Sequence, residues 1–281
     1  MRLIVENKNN EKLELTNNSN YAITSISGLN PAPANINTSK LATSDGSLLN
    51  STFVKERNIV ITIYIMREIE KNRIALYKFF RPKQYIKLYY SNDSRDVFIE
   101  GYVETFEGDF FTKSENFQIS IICPFPFFKS TEESVIVLTN ISSQFTFPFS
   151  IPEEGIIFSE YYGTNSTPIV NTGDVEAGLI IDFYSTGNVV NPIIRNINTG
   201  EFFGLNYTIE AGSIARITTI KGQKSAKLIT YGTATNIINY VMKNSTWLQL
   251  SSGENQFAVT TVSGSSFLTT TLYHTDLFEG V

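Results

Sequence analysis

Seven consecutive residues, Ile59, Val60, Ile61, Thr62, Ile63, Tyr64 and Ile65, are β-branched at every position but one. Such side chains are stiff at χ1 and pack well on a pleated surface. The run therefore predicts a strand, and its lack of polar alternation predicts one buried on both faces. A strand of that kind needs neighbours on either side and cover above and below, so it places a sheet at the centre of the first half. The surrounding residues supply partners. Residues 21–26 alternate and end at Gly28, residues 85–90 read as a strand, and a polar turn over 91–96 leads to a second strand that carries Gly101, Tyr102, Val103 and Glu104. Residues 117–121 alternate strictly and run to Cys123 and Pro124.

One helix is expected, over residues 68–80. Ile69, Leu76 and Phe80 share a face, Arg73 and Tyr77 lie beside it, and Pro82 stops propagation. Residues 30–53 contain three loop signals: Pro31-Ala32-Pro33, Asp45-Gly46 and Asn50-Ser51-Thr52. A loop so long is unusual in a compact domain unless it binds something. It reads as an extended arm that packs on a neighbouring subunit.

Charge divides the chain. Residues 1–129 hold 16 Lys+Arg against 14 Asp+Glu, a balance of +2, and residues 130–281 hold 6 against 13, a balance of −7. With Pro124-Phe125-Pro126 beside the change, two folding units are expected, 1–129 and 130–281. The second half reads as strands at 135–138, 156–158, 179–184, 192–196, 202–205, 215–219, 227–230, 247–250, 255–262 and 269–273. Polar turns separate them, among them Asn171-Thr172-Gly173-Asp174 and Asn198-Thr199-Gly200. Many short strands at even spacing predict a β-sandwich. The fold class expected is mainly β, with a barrel- or sandwich-like first domain carrying one helix.

The composition works against several functions. A net charge of −5 opposes the coating of nucleic acid. One cysteine forbids an intrachain disulfide. The opening residues lack a secretory pattern, and the longest apolar run is too short to span a bilayer. Folding in a reducing cytoplasm, with no membrane partner, is the expectation.

With His274 the only histidine, catalytic triads and histidine-ligated zinc lack their usual residue. His274 reads as a surface strand residue and Cys123 as a packed small hydrophobe. The pairs Glu132-Glu133 and Glu153-Glu154 border loops and read as solvated turns. Asn171-Thr172-Gly173-Asp174 lacks the ligand density of a calcium loop. No cofactor and no catalytic residue are assigned. Among the aromatics, Trp247, Tyr161 and Tyr162 raise the alternative of a carbohydrate-binding adhesin, with Trp247 as the candidate sugar contact.

Several fragments in fixed order resemble the distal tail proteins, the baseplate hubs of long-tailed phages with non-contractile tails and of related particles. In the first half these are Tyr21 with Ile26-Ser27-Gly28-Leu29, Asp45-Gly46 with Asn50-Ser51, Leu76-Tyr77, Leu88-Tyr89-Tyr90, Gly101-Tyr102-Val103-Glu104, and Ile119 to Pro124. In the second they are Asn171 to Asp174, Asn191 to Asn196, Thr199-Gly200-Glu201, and Trp247-Leu248 with Gly253-Glu254-Asn255. The resemblance implies a tail-tube-like ring domain followed by a galectin-like sandwich. It also implies a homo-hexamer at the virion tail tip that joins the tail-tube protein to tail-tip or receptor-binding baseplate proteins. DNA would pass through the ring without being specifically bound. Gly28, Leu29, Pro31, Asp45, Gly46, Asn50, Arg73 and Tyr77 are the expected assembly contacts, and Glu104, Glu107 and Asp109 the expected lumen-facing acids.

Overall fold

A computed structural model describes residues 1–43, 45–109, 116–138, 141–143, 159–161 and 167–281. The strand expected at 156–158, the Glu153-Glu154 pair and Tyr162 lie outside the described residues. The chain forms two compact units, Met1–Thr131 with Leu277–Val281, and Glu132–Asp276. The last five residues thus belong to the first unit, although sequence position groups them with the second.

In the first unit the strands are β1 (Arg2–Asn7), β2 (Lys12–Glu14), β3 (Tyr21–Ser27), β4 (Ala34–Lys40), β5 (Ser47–Val54), β6 (Arg57–Ile65), β7 (Tyr85–Ser91), β8 (Asp96–Gly108), β9 (Asn116–Cys123) and β10 (Phe128–Ser130). Its main sheet runs β2-β1-β7-β8-β9-β6-β3, every pairing antiparallel. β10 adds to the first part of β8 and pairs with the short Leu277–Phe278 strand. β6 sits between β9 and β3, as its composition requires. Its burial alternates, however: Ile59, Ile61, Ile63 and Ile65 are fully buried, while Val60, Thr62 and Tyr64 are only half-buried. The expectation of burial on both faces is therefore corrected. One face builds the core and the other is half-covered.

The helix α1 spans Ile69–Phe79, ending where Phe80 N–H returns to the Leu76 carbonyl, two residues before Pro82. Leu76 and Phe80 are fully buried in the core shared with Ile61, Ile86 and Phe117. Ile69 is exposed, contrary to expectation, because it begins the helix and Asn72 takes the inward position one turn on. Asn72 is satisfied there: its Nδ2 donates to the Arg67 carbonyl at 2.6 Å, and its own carbonyl accepts from Tyr21 Oη at 3.1 Å.

The expected arm is not loop. β4 and β5 make a separate two-stranded antiparallel hairpin, with a register shift between Asn37 and Thr38. Gly46, at φ +92°, sits at the hairpin end in a conformation that costs glycine little.

In the second unit two antiparallel sheets close on one core. The larger runs Ser134–Leu138, Leu268–His274, Ala177–Ser185, Ser213–Thr218, Ser225–Thr230, Thr233–Asn236, and the smaller Thr167–Asn171, Gly253–Thr260, Ile193–Asn196, Phe202–Gly204. Ile181, Phe183, Ile217 and Leu272 from the first meet Ile169, Ile194, Phe203 and Phe257 from the second. His274 is buried, which corrects its assignment to the surface. It follows Leu268, Thr270 and Leu272 on the inward face of their strand.

Candidate assembly surfaces

At the base of the arm the backbone is locked by Arg57, which opens β6. Its guanidinium donates to the carbonyls of Pro126 (2.6 Å), Gly28 (2.6 Å), Asn30 (2.5 Å) and Glu279, and lies over the Phe128 ring at 4.7 Å. Burial pulls the Arg57 pKa down from its usual value, while Cys123 and Glu279 nearby pull it up. One planar fork thus gathers the strand end at Gly28, the entry to the arm, the chain after β9 and the C-terminal residues.

Gly28 is required there. Its φ is +86°, and a Cβ would stand 2.1 Å from the Asn58 carbonyl oxygen. The Leu29 carbonyl accepts from Val281 N–H at 3.1 Å, and the Leu29 side chain packs on the core. Gly28 and Leu29 therefore have intramolecular duties, whereas Pro31 stands exposed where the arm leaves.

The arm itself presents Ile36, Leu41, Leu48, Leu49 and Phe53 to solvent, Ile36 and Leu49 both 63 % exposed. Polar rungs fix its register: Asn37 Nδ2 donates to Ser51 Oγ at 2.9 Å and Asn50 Nδ2 to Ser39 Oγ at 2.6 Å. Asp45 and Gly46 stand exposed at its end. Strands this short and this apolar outside are not stable alone, and a two-stranded ribbon needs a partner face. Sequence reading located this feature through its turn signals and missed its strands.

On α1, Arg73 is half-buried and paired with Glu70, and Tyr77 sets its ring edge-on to Phe106 with centroids 5.0 Å apart. Tyr77, Phe80, Arg81, Pro82, Phe106 and Gly108 line a cleft of about 410 Å³.

The acids expected to face a lumen lie on the second half of β8, where the register slips between Val103 and Thr105. Glu104 and Glu107 are exposed and point away from the core-facing Val103, beside Gln118 and Ser120 of β9. Ser120 Oγ is 2.8 Å from Glu104 Oε2 and 3.0 Å from Asn58 Oδ1. Asp109 is exposed just past the strand end. Further along the same outward face, charges come in pairs: Glu6 with Lys12 at 3.3 Å, Glu14 with Arg2 at 2.9 Å and Glu100 with Lys129 at 2.5 Å. Tyr85 also donates to Glu100, and burial with that carboxylate raises its pKa well above the usual range. Arg2, Lys12 and Lys129 of this face are thus paired with neighbouring carboxylates and Lys87 lies over the Phe98 ring at 5.4 Å, while Glu104 and Glu107 have no ion-pair partner among the described residues.

In the second unit, Trp247 is half-buried, its ring 5.1 Å from that of Phe203 and 5.7 Å from the Lys224 ammonium. Arg195 donates to the Gly200 carbonyl and covers Phe202. His274 instead pairs with Asp276, Nδ1 to Oδ1 at 3.1 Å, and Asp276 accepts from Thr172 N–H and Oγ1 at 3.1 and 2.5 Å. The structure does not bring Trp247, Arg195 and His274 together. It ties the Thr172 turn to the last strand of the unit instead. Among the described residues no three His, Cys, Asp or Glu side chains are placed to hold a metal. None of the described helices is long and apolar enough to cross a membrane.

The comparisons with known proteins follow the same division. Residues 8–123 match the phage tail protein RIFT-related domain, and residues 172–276 match the C-terminal domain of the siphovirus-type tail component. No curated protein matches the sequence. Among solved structures, the Dit protein of phage SPP1, described as a paradigm of the hub adsorption apparatus in phages infecting Gram-positive bacteria, superposes with a TM-score of 0.69. It is 12% identical, over 98% of this chain and 99% of that one. A chain of the phage P2 baseplate in its activated conformation with Ca gives a TM-score of 0.55 at 12% identity, over 100% and 99%. At such identities the likeness is one of fold, and it extends through both units in order. The two sequence matches, one in each unit, add what the fold alone leaves open: this chain belongs to the siphovirus-type distal tail proteins, structural components of the phage tail.

Proposed function

We propose that six copies of the chain form a closed ring at the distal end of the tail, the hub between tail tube and tail-tip or receptor-binding proteins. The observation that carries this reading is the β4–β5 hairpin. It is a ribbon anchored at its base by Arg57 and otherwise exposed, with apolar residues that nothing among the described residues covers. A ring requires a heterologous contact, one surface of each copy meeting a different surface of the next, closing after a fixed rotation. The arm is one such surface, with Pro31, Asp45, Gly46 and Asn50 on it. Arg73 and Tyr77 belong to the receiving surface on the next copy.

Within such a ring the outward face of β8 and β9 lines the lumen. Glu104, Glu107 and Asp109 then line the passage with negative charge, so DNA crosses it without the phosphate contacts that would hold it. The second unit is the galectin-like portion that contacts neighbouring baseplate proteins. The test is native mass spectrometry of the purified chain together with imaging of assembled tails. A six-fold mass, and a six-fold ring at the tip, are expected. Tails whose tip holds this chain in another copy number contradict the reading.

A further inference from the structure

Between residues 211 and 253 the chain carries Arg216, Lys221, Lys224, Lys227 and Lys243 and no Asp or Glu. This occurs inside a half whose balance is −7. A surface shaped only by solubility mixes both signs. The structure places Arg216, Lys221, Lys224 and Lys227 on or between Ser213–Thr218 and Ser225–Thr230, which with Thr233–Asn236 form one edge of the larger sheet. Lys243 lies on the next segment, which bonds to Phe202 and Gly204 of the smaller sheet and meets Lys224 through the Trp247 ring at 5.7 Å. Arg216 stands opposite Lys227, and Lys227 opposite Asn236.

Acids from outside the stretch claim two of the cations. Asp182 holds Arg216 through two hydrogen bonds, at 2.8 and 2.6 Å, and Glu176 holds Lys221 at 2.9 Å. Lys224, Lys227 and Lys243 are exposed and have no ion pair among the described residues. Lysines can guard a sheet edge against pairing, but the edge strand Thr233–Asn236 contains none.

A second observation lies on the same hairpin. Tyr231 and Gly232 form the two-residue turn between the paired Thr230 and Thr233, at φ +48° and +80°. This turn favours Asn or Gly at its first position, and a tyrosine there carries backbone strain. The ring gains nothing in return within the chain, since Tyr231 is 97 % exposed. Tyr240, also exposed, follows a few residues later. Stability explains neither the tyrosine nor the missing carboxylates.

We propose that this edge binds a flexible polyanion whose phosphodiesters are joined by polyol or sugar units. Lysines act as point charges suited to phosphate, whereas planar carboxylate recognition falls to arginine, and the stretch's one arginine is already taken. Charges spread over a hairpin and its flanking loops fit an extended polymer, and exposed aromatic faces fit the carbon skeleton between phosphates.

The experiment titrates the full chain with poly(glycerol phosphate) by calorimetry across a salt series. With three lysines engaged, log K should fall against log salt with a slope of about −2. Replacing Lys224→Glu, Lys227→Glu and Lys243→Glu together should weaken binding about tenfold or more, and Tyr231→Ala by about fivefold, both with unchanged thermal unfolding. The same exchange at Lys8, Lys78 and Lys83 should change nothing. The proposal is overturned by any of four results: no binding by the native chain, undiminished binding by the triple variant, an equal loss in the control set, or tighter binding to single-stranded DNA of matched charge.

Discussion

Arg57 is a buried cation whose hydrogen-bond partners are backbone carbonyls, so its value lies in geometry. Arg57→Met keeps an unbranched apolar stem and strands four carbonyls. It should cost about 3 to 5 kcal/mol in urea denaturation and raise amide exchange at Val281, whose N–H is held by Leu29. An unchanged urea midpoint would show that the carbonyls find other donors. Cys123 is fully buried, and burial pushes its thiol up to about 12. A thiol reagent at mildly alkaline pH should therefore leave the folded protein unmodified and label it only on unfolding. His274 titrates in the other direction. Burial lowers its pKa below the usual 6.5, against the opposing pull of Asp276 and Glu133. The unfolded chain then takes up the proton first, so the stability contributed by neutral His274 is complete above about 6.5 and declines as pH falls below it. Urea midpoints should drop between about pH 7.5 and 5.5 in the native chain, and drop less in His274→Gln.

Among the elements, the hairpin and the helix differ in what holds them. α1 is pinned by Leu76 and Phe80 in the core, and the hairpin by rungs such as Asn37–Ser51 with little burial. Replacing Leu48→Asp and Leu49→Asp should accordingly shift stability by less than about 1 kcal/mol while abolishing ring formation, as read by light scattering. A variant that loses fold and ring together would make the arm part of the core. The same contrast explains what was legible in sequence. A strand with one buried face such as β9 announces itself through apolar period, whereas β6 was legible through its β-branched run, which hid the alternation of its burial. The hairpin has water on both faces, so its Asn, Ser and Thr residues imitate a loop. β1 was read only for the absence of a leader, though Leu3 and Val5 alternate and are buried. Ile69 fits the helical period but begins the helix, where Asn72 displaces it. For His274 the signal was present and unused, since it continues the period of Leu268 and Leu272. The expected contacts Gly28 and Leu29 proved to be bound within the chain, because long-range knots such as Arg57 with Glu279 leave no local trace.

At the scale of the molecule, the chain leaves its first unit after Thr131 and returns to it at Leu277, so the second unit is an insertion tied at both ends. The uneven charge belongs to that division: a near-neutral unit in which Arg2, Lys12 and Lys129 are paired with neighbouring acids, and an acidic unit with one basic edge. Both patterns make sense for a protein whose surfaces are contacts. The most direct test is cryo-electron microscopy of tails carrying this chain, compared with tails carrying the Leu48→Asp, Leu49→Asp variant. A closed six-fold ring at the distal end of the native tail, with the β4–β5 hairpin lying on the adjacent copy and no ring in the variant, is the predicted result. A native ring in which the hairpin touches no neighbour, or a variant that still closes, would contradict it.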